Sequence, residues 1–374
     1  MKILVTGTHF TPAQAVIEEL KKYPDTQIIY VGRKTTMEGD SSPSAESKVL
    51  PNLGVKFIPI ITGRLQREFT IYTIPSLLKI PIGILQSLYI ILKEKPNVIL
   101  SFGGYVGLPL VLVGWLFSIP IIIHEQTLVS GLANQIGGLF ADKIALSFKQ
   151  NINAKDEKIL ITGNPIRDLI KHPKNSKNEK NFKIFDTAKK EKLPVILITG
   201  GNQGSRTINM VVKQCLSRLI RIACIIHVTG ESKYNDFERL KKLQNDHYLV
   251  SKWIDRQWGI ILSKVDLVVS RSGINTLTEL AYLEKPALVI PFEPLYQDEQ
   301  NKNAKYFQSL GIVKILPQTK LSAESLLAHI KNMIINLDQL KKDAKKAKAI
   351  LIPDAAKRLA LETVLLAETR NNFV

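Results

Sequence analysis

Several short segments of this 374-residue chain hold residue types that can do chemistry. Gly200-Gly201-Asn202-Gln203-Gly204-Ser205-Arg206 follows an apolar run at 195–199 and precedes a helical pattern. Small residues let backbone amides approach an anion, and a helix N-terminus adds positive potential, so this segment suits a diphosphate. It is neither a P-loop nor a spaced GxGxxG, which argues against ATP hydrolysis and NAD. A tight strand–helix turn would need the same glycines. Arg271-Ser272-Gly273-Ile274-Asn275-Thr276-Leu277-Thr278-Glu279 follows the run at 267–270. Glu279 can accept two hydrogen bonds from a ribose diol, or close a capping box with Thr276. Asp298-Glu299-Gln300-Asn301 opens another helix, and its polar groups can face sugar hydroxyls or solvent.

In the first half, Gly7-Thr8-His9 follows the run at 3–5. His9 lies just before a helix, where a phosphate or a general base would sit. Ser101-Phe102-Gly103-Gly104-Tyr105 follows another run and can admit backbone close to a ligand. His124-Glu125-Gln126 ends the run at 121–123. Two titratable side chains at a strand end are candidates for acid–base work, or for a buried hydrogen-bonded pair. Between the halves, Asn164-Pro165 marks a turn. Arg167 can reach a cleft and pair with phosphate.

These segments share a position, the carboxyl end of a strand-like run, where doubly wound sheets bind ligands. Runs at 3–5, 28–31, 56–60, 98–101 and 121–123 alternate with helical periods, and the pattern restarts at 195–199, 223–228, 248–250, 267–270 and 287–291. Such alternation means parallel sheets with helices on both faces. The expected fold class is α/β, with two Rossmann-like doubly wound domains facing across a cleft. The first helix is expected from Pro12, with Thr11 and Gln14 forming a capping box.

Hydrophobic residues make up 45% and charged residues 22%, an ordinary globular composition that excludes wholesale disorder. The 2 cysteines, Cys215 and Cys224, form no CxxC and read as reduced thiols in a cytosolic protein. No His/Cys grouping suggests a metal. The formal net charge of +18 favours a polyanion, or a solvated lysine-rich surface. Much of the excess sits at 171–192 and 341–348, with few aromatics, unlike a base-stacking platform, so nucleic acid is not the expected partner. Residues 106–123 carry no charge, but Pro109 and Pro120 divide them into a buried helix over 109–118 and a strand. Residues 71–92 are interrupted by Pro75, Lys79 and Pro81 and read as a surface helix. The N-terminus lacks the apolar region and cleavage site of a signal peptide.

Taken in order, FGGYVGLP at 102–109, HEQ at 124–126, GNPIR at 163–167, GGNQGSR at 200–206, SRSGINTLTEL at 270–280 and DEQNKNA at 298–304 resemble the bacterial MurG family, over nearly the whole chain. Those are GT-B glycosyltransferases of peptidoglycan synthesis. The resemblance implies inverting transfer of N-acetylglucosamine from UDP-GlcNAc to the C4 hydroxyl of a polyprenyl-diphosphate-linked muramyl-pentapeptide, at the cytoplasmic membrane face and without a cofactor. It implies an acceptor- and membrane-binding domain over 1–161 plus 353–374 and a UDP-GlcNAc domain over 162–352. Helix region 71–92, with Arg64, Arg67, Lys79, Lys93 and Lys95 around it, would rest on an anionic membrane surface as a peripheral contact.

Residue by residue, the resemblance makes Arg167 the donor-phosphate arginine. Asn202 stands at the usual serine of the turn formed with Gly201, Gln203 and Gly204. Ile254 would read uracil through its backbone. Ile274, Asn275 and Thr276 would form the turn under the donor diphosphate, with Arg271, Ser272, Gly273, Leu277 and Thr278 also among the substrate-binding residues; Glu279 would take the ribose, and Glu299 and Gln300 would lie near the GlcNAc hydroxyls. His124 and Glu125 match the HEQN motif, with Thr127 in the place of its asparagine. Gly7, Thr8, Gly103, Gly104 and Tyr105 would line the acceptor side. The family begins GGTGGH, whereas Gly7-Thr8-His9 is shorter by two glycines. His9 and Glu125 are both candidates for the base that takes the acceptor proton.

Overall fold

The computed structural model of the chain describes residues 1–35, 43–63, 73–149, 157–173, 182–201, 203–230, 234–254, 257–293 and 298–371. They form two compact units, Met1–Arg167 with Ile352–Val374, and Asp168–Leu351. The first unit thus takes in residues 162–167, which the sequence reading gave to the second. The amides of Thr162 and Gly163 both bond to Leu146 O, which ties that segment to the first sheet.

The first unit holds a seven-stranded parallel sheet: β1 (Lys2–Thr6), β2 (Gln27–Gly32), β3 (Lys56–Pro59), β4 (Val98–Ser101), β5 (Ile121–Glu125), β6 (Lys143–Leu146) and β7 (Ile159–Ile161). Their order is β3-β2-β1-β4-β5-β6-β7. The second unit holds β8 (Val195–Thr199), β9 (Cys224–Val228), β10 (Tyr248–Ser251), β11 (Leu267–Ser270), β12 (Ala287–Val289) and β13 (Val313–Ile315). Their order is β10-β9-β8-β11-β12-β13, again all parallel. In each sheet the strand order reverses once, between β1 and β4 and between β8 and β11. Ligands of doubly wound folds bind beyond the carboxyl ends at such a reversal.

Ile121, Ile122 and Ile123 are buried because helices cover both faces of the sheet. Helix Arg206–Leu219 buries Ile208, Val211, Val212, Cys215, Leu216 and Leu219, a 3.6-residue stripe against the second sheet. Helix Ala355–Asn371 returns to the first unit and buries Leu359, Ala360, Val364 and Ala367 in the same core as Ile3, Val16 and Ile17, while Leu365 stays exposed.

Two local expectations are corrected. Helix Phe10–Leu20 begins before Thr11, with His9 as its N-cap and no side-chain cap bond, so no capping box forms. Helix Gly104–Leu116 begins five residues before Pro109, which lies inside it. Strands β6, β7 and β13, which the sequence reading did not include, are too short to stand out by pattern; Lys143 opens β6 and Lys314 interrupts β13.

Candidate functional site

In the second unit, β8 leads into a turn in which Gly201 N–H donates to Thr199 Oγ1 at 3.2 Å and Gly204 N–H to Gly201 O at 2.9 Å. Gly204 has φ +74°, and a Cβ there would collide with Thr229 O and Gly230, so this backbone needs glycine. Gln203 is exposed and Ser205 caps the helix, its Oγ accepting Ile208 N–H at 3.4 Å. The first amides of this helix have no intrahelical acceptors, and Ile208 N–H is met by the Ser205 cap. Asn202 lies outside the described residues.

Arg271, at the end of β11, is only 9% exposed. Its Nη2 donates to Ser205 Oγ at 2.9 Å, and its Nη1 to Ile290 O at 2.9 Å and Pro291 O at 3.3 Å. Burial lowers its pKa to about 10, so it stays charged at neutral pH. It joins the loops after β8, β11 and β12, and its charge adds to the potential at the helix N-terminus.

Helix Ile274–Tyr282 is capped by Gly273, so Glu279 is not the third residue of a capping box. Leu277 is a correction: its side chain is fully buried and its amide bonds to Gly273 O, leaving nothing for a ligand. Thr278 is likewise spent, its hydroxyl donating to Ile274 O at 2.9 Å. The Ile274 side chain is core as well, whereas Asn275 and Thr276 keep partly exposed side chains on the first turn. Glu279 is 4% exposed, and its Oε2 accepts the indole N–H of Trp258 at 3.2 Å. Ser272 Oγ donates to Gln300 O at 2.8 Å, Gln300 Oε1 accepts Phe292 N–H at 2.8 Å, and Asn303 Nδ2 donates to Ser272 O at 3.2 Å. The loops after β11 and β12 and the helix Glu299–Ser309 are thus one bonded assembly. Glu299 sits partly exposed in the first turn of that helix, and Ile254 partly exposed in the loop after β10.

In the first unit, Thr8 N–H donates to Gly103 O at 3.1 Å, so the turns after β1 and β4 touch. Gly7 O accepts the hydroxyl of Tyr30 at 3.0 Å. His9 is partly exposed; burial of its ring, then the charge of Arg33, lowers its pKa to about 4. It is therefore neutral at pH 7. Arg33 Nη1 reaches the Tyr105 hydroxyl at 3.4 Å. Gly104 opens the helix that follows.

His124 and Glu125 end β5, and both are buried. His124 Nε2 faces Gly163 O at 3.2 Å and Ser147 Oγ at 3.2 Å. A carbonyl only accepts, so Nε2 carries the proton. Burial lowers the pKa of this imidazole to about 4. His124 is thus buried and hydrogen-bonded through Nε2. Glu125 is 2% exposed and accepts three N–H donors, Thr127 N–H at 3.0 Å on Oε1 and Asn134 Nδ2 at 2.8 Å and Gly131 N–H at 3.3 Å on Oε2, while the single hydroxyl proton of Thr127 is shared between Oε1 at 2.7 Å and Val129 O at 2.7 Å. Asn134 lies so close over Gly103 that any Cβ there would strike it. Arg167, partly exposed, is the last residue of the first unit.

The sequence reading missed Arg33, Asn134 and Trp258. Each comes from an element distant in sequence from the group it holds, and no spacing rule links them.

Residues 3–146 match the glycosyltransferase family 28 N-terminal domain and residues 195–359 the glycosyltransferase family 28 C-terminal domain. The chain is 31% identical over 367 residues to the UDP-N-acetylglucosamine--N-acetylmuramyl-(pentapeptide) pyrophosphoryl-undecaprenol N-acetylglucosamine transferase of Bacillus cytotoxicus, covering 96% of this chain and 97% of that one. The enzyme of the same name from Clostridium kluyveri is 31% identical over 364 residues, with the same coverage of 96% and 97%. The chain belongs to the MurG family. The crystal structure of Acinetobacter baumannii MurG has a TM-score of 0.68 at 22% identity, covering 97% of this chain and 98% of that one. The S. aureus MnaA–UDP co-structure also scores 0.68, at 17% identity and 96% and 94% coverage. These likenesses establish the GT-B fold.

Proposed function

We propose that this chain transfers GlcNAc, with inversion, from UDP-GlcNAc to the C4 hydroxyl of MurNAc in lipid I, forming lipid II for peptidoglycan synthesis. The observation that carries this reading is identity of 31% across 96% of the chain to enzymes named for that reaction. The second unit supports it with a place for each part of the donor. The turn at Gly201–Gly204 and the helix behind Ser205 suit the diphosphate, where negative charge grows as UDP departs. Arg167, the last residue of the first unit, is the donor-phosphate arginine by the resemblance alone. Glu279, fixed by Trp258, suits the ribose diol. Glu299 and Gln300 suit the sugar hydroxyls, and Ile254 the uracil.

The first unit takes the acceptor. Its hydroxyl needs a base, and His9 is the better supported candidate. It is neutral at pH 7 and at the mouth of the sheet, where a hydroxyl can meet it. Glu125 is already held by three N–H donors, which supports a holding role for the loop at 126–134. The three-residue turn before His9 favours a second reading, a GT-B transferase with another lipid-linked acceptor or with impaired catalysis. It predicts UDP-GlcNAc binding without transfer to lipid I.

Helix Thr73–Glu94 supports a membrane contact. Among the described residues, Ser76–Glu94 is the one helical segment long and apolar enough to cross a membrane. Its inner face is tied to the first unit: Gln86 Oε1 accepts Ile61 N–H at 2.8 Å, and Glu94 pairs with Lys56 at 2.7 Å. Its outer face exposes Ile74, Leu78, Ile82, Leu85, Tyr89 and Leu92 at helical spacing. We assign this stripe, with Lys93 and Lys95 beside it, to the anionic cytoplasmic face of the membrane as a peripheral contact. Arg64 and Arg67 lie outside the described residues.

Transfer of labelled GlcNAc from UDP-GlcNAc to a lipid I analogue tests the reading. Product with the inverted linkage supports it; donor binding without product favours the second reading.

A further inference from the structure

Behind the glycine turn of the second unit lies a buried polar chain that no step above uses. Tyr248 on β10, His227 on β9 and Asn209 on the helix Arg206–Leu219 are each no more than 1% exposed. His227 Nδ1 lies 2.8 Å from the Tyr248 hydroxyl, and His227 Nε2 lies 3.0 Å from Asn209 Oδ1. Asn209 Nδ2 donates to Thr229 O at 3.1 Å and to Asp236 Oδ2 at 3.0 Å.

The protons in this chain have one arrangement. Thr229 O and the Asp236 carboxylate can only accept, so the Asn209 nitrogen must face them and its Oδ1 must face His227. Oδ1 needs a donor, so His227 carries its proton on Nε2. Nδ1 is then an acceptor, and the Tyr248 hydroxyl donates to it. Burial lowers the His227 pKa to about 3 and raises that of Tyr248, so the pattern persists through the neutral range.

The end of this chain is Thr229 O, the atom against which Gly204 turns. A Cβ on Gly204 would collide with Thr229 O and Gly230, so the two loops meet backbone to backbone with no side chain to absorb a shift. Thr229 is also held from the other side, its amide donating to Ser251 O at 3.0 Å. We propose that His227 and Asn209 are positioning residues for the donor diphosphate, holding Thr229 as the stop that places Gly204 and the amides after it. This rests on the reading that the turn after β8 takes the diphosphate of UDP-GlcNAc. Neither residue touches the donor; each acts through Thr229.

The test titrates UDP into the purified full chain by calorimetry and measures transfer kinetics in both substrates. His227→Phe keeps the ring volume but strands the Tyr248 hydroxyl and Asn209 Oδ1. Asn209→Leu frees Thr229 O. Each is expected to weaken UDP binding and raise KM for UDP-GlcNAc about tenfold, the usual order for one buried hydrogen bond, with KM for the acceptor unchanged. His227→Gln retains one donor and one acceptor and should restore UDP affinity to within about threefold. A purely structural role would lower the melting temperature of His227→Phe and Asn209→Leu and leave UDP affinity of the folded fraction unchanged. That result overturns the inference, as does a His227→Gln variant no better than His227→Phe. Wild-type chain that binds UDP but makes no product overturns the proposed reaction alone, because the affinities still decide the role of His227.

Discussion

Arg271 Nη2 donates to Ser205 Oγ at 2.9 Å, joining the end of β11 to the N-cap of the helix after β8. The contact fixes a cation beside a helix N-terminus that already repels cations, so it persists only because Ile290 O and Pro291 O accept from the same guanidinium. Lysine cannot span these three acceptors. Arg271→Lys should cost roughly 1–3 kcal/mol of stability and weaken UDP binding about tenfold. Urea denaturation beside calorimetry with UDP checks both, and an unchanged UDP affinity would make the strut irrelevant to the donor.

Glu279 offers a sharper chemical test. Its carboxylate is held by Trp258, and a ribose diol would supply two further donors. Glu279→Gln should raise KM for UDP-GlcNAc about tenfold, since hydrogen bonds to charged groups are the stronger ones. The loss should vanish with a donor lacking both ribose hydroxyls. Equal losses on both donors would remove Glu279 from the ribose.

The glycine turns were legible in the sequence because their residue type answers a backbone need: Gly204 must turn at positive φ against Thr229. The strand ends were legible because apolar runs such as 121–123 stop abruptly at polar residues. What the sequence did not separate was ligand-facing from core positions within one motif. Leu277 and Thr278 belong to the same segment as Gly273 and Thr276, yet the helical period turns them inward. The His124–Glu125 pair left two readings open, and its partners Ser147, Asn134 and Gly163 O appear only in the structure. Those partners sit on other elements, so local spacing cannot reveal them.

Acid stability should carry the mark of two buried histidines. His124 and His227 have pKa values of about 4 and about 3, against 6.5 in an unfolded chain. Below pH 6.5 the unfolded chain binds protons that the folded chain refuses. Their contribution is therefore complete above pH 6.5 and is lost as pH falls towards 4, at about 1.4 kcal/mol per pH unit for each. Urea midpoints at pH 7, 6 and 5 should fall steeply, and His227→Gln should flatten the slope. A variant with the wild-type slope would contradict the buried neutral imidazole.

Membrane contact can be tested without catalysis. Leu78 and Leu85 are 68% and 65% exposed on the stripe of helix Thr73–Glu94. Leu78→Glu with Leu85→Glu should abolish sedimentation with vesicles rich in anionic phospholipid while leaving UDP affinity intact. Added salt should weaken wild-type binding only in part, because apolar burial is not screened. Sedimentation equal to wild type would remove the stripe as the contact.

The most direct measurement is transfer of labelled GlcNAc from UDP-GlcNAc to a lipid I analogue by the wild-type chain, His9→Ala and Glu125→Gln. Wild type should form the inverted product. His9→Ala should lose about two to four orders of magnitude in kcat, the usual share of a general base, while Glu125→Gln should lose less and melt earlier. Donor binding with no product from wild type would contradict the proposed reaction, and full activity of His9→Ala would take the base away from His9.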